Sequence, residues 1–401
     1  MGGNVTALTH DGIQTRAEKI PVAEIGRSTF MKTIQVFLRT FNELFYKQYK
    51  TKIWKNEKEI LNGFIFNGST SFIMDPKIKD SEIVKVKQTA GDLDITVPEE
   101  LKENIFNFLL KYENKNITDN VKYMGSNKPT LSSIGEQINA VFVINFDGLR
   151  CNCQVDFEFL PYENDRPTEW AKFSHSSSFT DAKEHIKAVH HKYLIRALVG
   201  GSSLRDDIVI CTSKSTYDNV VLSKSKVNLN PRMLKFSVGR GIRYAYEPLF
   251  DEKGNIVKID GKEVYKEIPS KNSDYITSVK DIFKVSFGNV EDKEVDKFYS
   301  FVGVVELIKK YLTKTQIENT YKRYVELLWG LKPQRAQELE VQNAELDYEV
   351  KSSGYNYLIS KLNLKPIPQK EIDMYYKDYG QRKLPESFKE FLFQEGLIES
   401  Y

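Results

Sequence analysis

Apolar side chains recur at helical spacing near the start of the chain. Phe30, Ile34 and Phe37 fall on one face when the segment around them is wound as an α-helix. This pattern predicts a helix over residues 28–50. The polar run before it has no period, so we expect an irregular segment over residues 1–27.

Apolar and polar positions alternate with a period of two in three later segments, at residues 92–97, 138–146 and 149–159. This alternation is typical of strands that bury one face. Asp147-Gly148 separates the last two segments and predicts a hairpin turn. A shorter apolar run at residues 63–66 predicts a fourth strand that ends at a turn.

The rest of the chain is predicted to contain helices and a basic hairpin. The Lys-rich residues 74–90 predict a loop or hairpin. Asp181 is expected to cap the N-terminus of a helix at residues 182–199, and Gly200-Gly201 is expected to end it. The predicted strands lie at residues 207–212, 233–247 and 256–268. The predicted helices lie at residues 99–112, 182–199, 301–330, 334–350 and 386–397.

Length and composition are those of a globular protein with two or three domains. The chain has 401 residues, of which 40% are hydrophobic and 28% are charged. The order of elements predicts an α+β fold in four segments. These are an irregular start (1–27), a segment of strands and helices (28–173), a central α/β extension with a basic hairpin (174–272) and a helical C-terminal region (273–401).

Charge and cysteine content narrow the cellular setting. The net charge of +3 is too small for a wholly basic surface, so any basic site must be local. The three cysteines are too few for a disulfide framework and predict a reducing compartment. No apolar run approaches the ~20 residues of a membrane helix. We therefore expect a cytoplasmic protein with no membrane contact.

Two aspartates at strand spacing are the first candidates for chemistry. In the run Gly91-Asp92-Leu93-Asp94, Asp92 and Asp94 lie on one strand face, roughly 7 Å apart along the chain. Neighbouring carboxylates repel, and Asp is a poor strand former. A divalent cation that takes oxygen ligands offsets this repulsion. The alternative is an exposed edge strand with two solvated acids.

Asp156 is the next candidate, because it lies on a later predicted strand. Val155 and Phe157 alternate with Asp156 and Glu158, so the strand has an apolar face and an acidic face. If this strand lies beside residues 92–97, Asp156 completes a site of three carboxylates. The alternative is a pair of surface acids.

Gly68 and Ser69 follow the predicted strand at residues 63–66. Gly68 lets the backbone approach a ligand closely, and the N–H groups and the Ser69 hydroxyl suit an anion such as a phosphate. An ordinary turn is the alternative interpretation of this dipeptide.

These motifs occur in a fixed order: Gly68-Ser69, then Gly91-Asp92-Leu93-Asp94, then Asp156. In this order, over about residues 60–160, the chain resembles the nucleotidyltransferase superfamily of the DNA polymerase beta type. The interval from Ser69 to Asp92 is longer than is usual there, so residues 72–88 resemble an insertion that can act as a Lys-rich mobile flap. The start Met-Gly-Gly-Asn and the run at residues 234–238 are also similar to nucleotidyltransferases of tailed bacteriophages, which implies the host cytoplasm.

The resemblance implies that residues 28–173 are a nucleotidyltransferase catalytic domain with a polymerase beta-type palm, a mixed sheet with flanking helices. It also implies the transfer of an NMP from an NTP to an acceptor hydroxyl, with release of pyrophosphate. It implies two Mg²⁺ ions, with Mn²⁺ as a substitute. Asp92 and Asp94 would ligate both ions, and Asp156 the catalytic one. Gly68 and Ser69 would hold the β- and γ-phosphates of the NTP.

Basic residues further along the chain are candidates for contacts with the triphosphate or the acceptor. Lys192 and Arg196 are four residues apart on a predicted helix and share a face. They predict a phosphate clamp, or else a solvated helix face. Residues 209–246 combine basic and aromatic side chains, which suits RNA or another single-stranded nucleic acid. Ordinary surface charge is the alternative. The basic residues are Lys214, Lys224, Lys226, Arg232, Lys235, Arg240 and Arg243.

Three functions remain open on the sequence. A nucleic acid 3′ end, as in tRNA- or poly(A)-extending enzymes, is the first acceptor class, because of the local basic segment. A small molecule or a protein side chain is the second, because the net charge is near zero. A catalytically inactive binding or assembly module is the third.

Overall fold

The protein has an α+β fold, in agreement with the coarse class predicted from the sequence, and the chain divides into two compact units, Met1–Lys183 and Glu184–Tyr401. The predicted helices at 334–350 and 386–397 lie outside the described residues. The computed structural model describes residues 5–9, 11–128, 130–222, 232–269, 274–288, 290–329 and 353–366.

A mixed sheet forms the centre of the first unit. Its strands are β1 (Thr6–Leu8), β2 (Gln14–Arg16), β3 (Leu93–Pro98), β4 (Asn116–Thr118), β5 (Val121–Ser126), β6 (Gln137–Phe146) and β7 (Leu149–Leu160). Their order is β2-β1-β5-β6-β7-β3, with β4 beside β5. β3 runs parallel to β7, whereas the other neighbours are antiparallel.

Helices and two short strands complete the first unit. The strands β8 (Tyr162–Glu163) and β9 (Arg166–Pro167) pair with each other. A 3₁₀ turn lies at Glu99–Leu101. The helices are α1 (Val22–Ile25), α2 (Arg27–Tyr49), α3 (Glu57–Leu61), α4 (Gly68–Ile73), α5 (Asp80–Val86), α6 (Lys102–Tyr112), α7 (Glu169–His175) and α8 (Phe179–Lys183).

The long helix α2 covers one face of the sheet, as its apolar spacing predicted. The Phe37 ring lies 4.9 Å from Phe142 of β6, and the Phe41 ring stacks at 5.4 Å on Phe157 of β7. Side chains alternate along a strand, so Asp156 of β7 points away from this aromatic core. The packing of α2 therefore leaves the opposite sheet face for polar side chains.

Several predicted segments of the first unit were wrong. The segment 1–27 contains β1, β2 and α1. These elements are too short to show a periodic pattern in the sequence. Residues 63–66 form no strand beyond a single bridge between Phe66 and Ile95. Residues 74–90, which were expected to form a loop or hairpin, contain the helix α5.

Buried Arg27 ties the segment between α4 and α5 to α2. Its guanidinium donates to the carbonyl oxygens of Ile73 at 2.7 Å, Ile78 at 2.6 Å and Asp75, and it pairs with Asp80 at 2.7 Å. A buried cation satisfied in this way fixes the path of the chain. The segment expected to act as a flap is thus anchored at four points.

We expect Arg27→Met to lower the free energy of unfolding by about 3 kcal/mol, because several carbonyl groups lose their donor. Urea unfolding followed by circular dichroism measures this loss. The matched control is Lys32→Met on the exposed side of α2, for which we expect less than about 0.5 kcal/mol. Equal effects of the two substitutions would show that Arg27 does not hold the segment.

The second unit combines helices with short strands. Its helices are α9 (Ala188–Ser202), α10 (Val279–Phe287), α11 (Phe301–Tyr311), α12 (Lys314–Trp329) and α13 (353–362), with a 3₁₀ helix at Asp292–Tyr299. Its strands are β10 (Ile208–Cys211), β11 (Leu234–Ser237), β12 (Gly241–Tyr244), β13 (Tyr246–Pro248), β14 (Lys258–Ile259) and β15 (Lys262–Glu267). β11 pairs with β12, and β15 pairs with β10, β13 and β14.

The predicted bounds of the helix at 182–199 were wrong. Asp181 lies inside α8, and the helix α9 begins only at Ala188 and continues to Ser202. Gly201 lies within α9, at a position where a Cβ would come within 2.6 Å of the Thr320 backbone. The glycine permits close packing of α9 on α12 and does not end the helix.

Candidate metal centre

The parallel pairing of β3 with β7 brings the predicted acids together. Asp94 is the register partner of Asp156, and Asp92 lies just before β3. Carboxylate oxygens of Asp92, Asp94 and Asp156 lie within 4.8 Å of one another. Leu93 and Ile95 point to the opposite face and are fully buried. The three carboxylates therefore share one face of the sheet.

Neighbouring amides orient the most buried of these acids. Asp156 is 5% exposed. Its two carboxylate oxygens accept hydrogen bonds from Nε2 of Gln154 at 2.9 and 3.0 Å. Asn139 of β6 is its register partner on the other side and also donates to it. Asp156 is thus held in place toward the other two acids.

Crowding and burial make the charged forms of Asp94 and Asp156 unfavourable. Burial raises the pKa of Asp94 well above its usual range, and the charges of Asp92, Glu158 and Asp156 raise it further. Burial also raises the pKa of Asp156 to about 6, with a contribution from Asp92, although hydrogen bonds from Asn139 and Gln154 oppose the shift. A divalent cation with oxygen ligands fits this donor set, because it would relieve the repulsion.

We expect the metal-free protein to lose stability as the pH rises from about 4 to about 7. The folded-state pKa of Asp156 is about 6, above the ~3.9 of an unfolded Asp. The folded state therefore binds this proton more tightly. The contribution is fully present below about pH 4 and is lost as the pH rises through about 6. It is on the order of 3 kcal/mol.

Melting temperatures measured with Mg²⁺ and with EDTA test this expectation. Protons compete with the cation, so Mg²⁺ should raise the melting temperature more at about pH 7.5 than at about pH 4.5. The same gain at both pH values would contradict a cation site formed by Asp94 and Asp156.

The Gly-Ser dipeptide begins α4, which lies against the acidic strand. Gly68 has a φ of +53°, and a Cβ at this position would lie 1.9 Å from Oδ2 of Asp94. The N–H of Asn67 donates to the Asp94 carbonyl at 2.9 Å, and the Thr70 hydroxyl donates to the Asp92 carbonyl at 3.0 Å. These contacts place Gly68 directly beside the carboxylates, and Ser69 follows it, half-buried.

Lys172 of α7 was not identified from the sequence. Its ammonium donates to the Phe66 carbonyl and, at 3.1 Å, to Oδ1 of Asn67. Asn67 in turn donates through Nδ2 to Glu158, which shares a strand face with Asp156. Burial lowers the pKa of Lys172 to about 8, against the opposing effect of Glu158. The alternation of β7 already indicated Glu158, but no pattern indicated Lys172.

Lys192 and Arg196 lie in the second unit, on α9. Lys192 is half-buried and Arg196 is exposed. They are four residues apart on one helix and share a face, as predicted. Their contact with a triphosphate stays a prediction.

The basic segment 209–246 offers fewer available charges than its sequence indicated. Arg243 is buried and donates to the carbonyl oxygens of Tyr244 at 3.3 Å and Ile268 at 3.2 Å. Arg232 pairs with Glu326 at 3.7 Å. Both guanidinium groups thus have partners within the fold. Lys224 and Lys226 lie outside the described residues, and the exposed cations in the described part are Lys214, Lys235 and Arg240.

Comparison with known proteins gives no relative for this chain. No family model matches it, and neither a curated protein nor a solved structure matches it. Over the described ranges, every helix is too short or too polar to cross a bilayer.

Proposed function

We propose that this protein is a magnesium-dependent nucleotidyltransferase. The observation that carries the proposal is the convergence of Asp156 with Asp92 and Asp94, which lie about sixty residues earlier in the sequence, on one point beside Gly68. The motif order of the sequence and the raised pKa values of Asp94 and Asp156 support the same function. The polymerase beta-type palm is part of this proposal.

In this proposal Asp92, Asp94 and Asp156 hold the metal ions. Gly68 and Ser69 present backbone N–H groups and a hydroxyl to the β- and γ-phosphates of the NTP. Bound Mg²⁺ would favour ionisation of the acceptor hydroxyl and offset the charge on the leaving pyrophosphate.

The transfer itself exchanges one P–O bond for another. The acceptor hydroxyl oxygen bonds to the α-phosphorus, and the bond from this phosphorus to the α–β bridging oxygen breaks. Pyrophosphate leaves with the electron pair, and the hydroxyl proton passes to solvent. The chain contributes position and a fixed charge distribution to this step.

Two acceptor classes follow from different observations. A nucleic acid 3′ end, RNA in particular, fits the exposed cations Lys214, Lys235 and Arg240. A small molecule is the second candidate, favoured by the internal partners of Arg232 and Arg243 and by the net charge of +3.

Pyrophosphate release tests the proposal directly. The full chain is incubated with Mg²⁺ and each labelled NTP, alone and with RNA, DNA or a mixture of small hydroxyl compounds. We expect release of pyrophosphate with at least one NTP and transfer of the label to one acceptor class. Release that persists in EDTA, or no release under any of these conditions, would refute a metal-dependent nucleotidyltransferase.

A further inference from the structure

A cavity of about 620 Å³ lies beside α4 in the first unit. Side chains of α4, of the segment between α4 and α5, and of the chain around α7 and α8 line it. This volume falls within the range of small-molecule sites in proteins. Arg27 holds one wall in place through the carbonyl oxygens of Asp75 and Ile78.

The cavity adjoins the carboxylate site. Ser176, one of its lining residues, pairs through its backbone with Gly68, and Gly68 touches the carboxylate of Asp94. Lys172 on the same wall bonds Asn67, the residue before Gly68. Gly68 and Ser69 are not among the lining residues. A ligand in the cavity would therefore lie next to the residues proposed for the triphosphate, and not on them.

The cavity walls combine two lysines, one acid (Asp75), serine hydroxyl groups and aromatic rings. Lys172 uses two of its three N–H donors on acceptors among the described residues, which leaves one for a ligand. Lys77 is exposed at the rim. The rings of Phe72 and Phe179 lie 5.7 Å apart and form an apolar wall. Ammonium groups bind phosphate, and aromatic side chains stack on nucleobases.

We propose that this cavity binds the nucleotide whose hydroxyl accepts the transferred NMP, with its phosphate at Lys77 and Lys172 and its base against Phe179. This inference rests on the proposed function and names the acceptor class. The acceptor is a nucleoside monophosphate unit, either free or at the end of a strand. The chemistry is the bond exchange already described and needs no further reactant.

Equilibrium binding to the full chain in EDTA tests the cavity without turnover. Calorimetric titration uses mononucleotides and a trinucleotide with a free 3′-hydroxyl, whose relative affinities distinguish the two sources. We expect Lys77→Gln to weaken binding about tenfold, because one charge-assisted contact is lost. Phe179→Leu should weaken it as well. The control Lys79→Gln removes an exposed lysine of the same segment that does not line the cavity, and affinity should stay within about twofold.

Turnover then distinguishes this inference from the function on which it rests. Lys77→Gln should raise the acceptor KM about tenfold and leave the NTP KM within about twofold. A raised NTP KM instead would assign the cavity to the NTP and overturn the inference, as would equal binding by wild type, Lys77→Gln and Lys79→Gln. Absence of pyrophosphate release together with Lys77-dependent binding would refute nucleotidyl transfer and still support a nucleotide site.

Discussion

Asp94→Asn should lower the rate of the proposed nucleotidyl transfer by about a thousandfold, equivalent to about 4 kcal/mol of barrier. Asp94 contributes a carboxylate oxygen to the cluster with Asp92 and Asp156. A neutral amide oxygen in its place is a weaker ligand for a hard cation. Steady-state pyrophosphate release at saturating NTP measures the loss.

The same substitution should stabilise the metal-free protein. Burial and three neighbouring acids raise the pKa of Asp94, so its charged form opposes folding at neutral pH. Asn has nearly the same shape and no charge. Its melting temperature in EDTA should therefore rise, by about 2–4 °C for each kcal/mol of relieved repulsion.

Asp119→Asn is the matched control, because Asp119 is exposed in the turn between β4 and β5 of the same unit. We expect it to change neither activity nor melting temperature appreciably. A loss of activity in Asp94→Asn accompanied by a lower melting temperature would indicate a structural role. If Asp94→Asn is more stable and keeps full activity, Asp94 is not a ligand of a catalytic metal ion.

Local pattern was sufficient to predict the acidic faces of β3 and β7. Alternation with a period of two placed Asp92 and Asp94 opposite Leu93, and Asp156 opposite Phe157. The convergence of these acids depends on the parallel pairing of β3 with β7. That contact joins segments about sixty residues apart, so no local pattern contains it, and only the resemblance of the motif order indicated it.

Tertiary contacts decided the segments that the pattern did not predict. The apolar residues 63–66 fit a strand, but a helix begins directly after them at Gly68. Hydrogen bonds from Asn67 and Thr70 to the acidic segment hold this helix start in place. Buried Arg27 anchors the segment between α4 and α5, which the sequence predicted to be a polar loop or hairpin. In the basic segment, the sequence predicted that Arg243 contributes to a basic surface. Its guanidinium is instead buried and donates to a carbonyl oxygen.

Gly68→Ala should reduce pyrophosphate release by about a hundredfold or more, the second large effect that we expect. The residue has a φ of +53°, which costs a residue with a Cβ about 1–2 kcal/mol. The added methyl group would also lie 1.9 Å from Oδ2 of Asp94. Either this carboxylate or the start of α4 must move, and both belong to the proposed site.

Gly12→Ala separates backbone strain from this contact. Gly12 also has a positive φ, +80°, but a Cβ there would meet no atom within 4 Å. Both variants should lose similar stability from strain, whereas only Gly68→Ala should lose activity and Mg²⁺-dependent thermal stabilisation. The second readout needs no substrate, so it reports on the carboxylates alone. If Gly68→Ala keeps both, the helix start and Asp94 do not form one site, and Gly68 is only a turn residue.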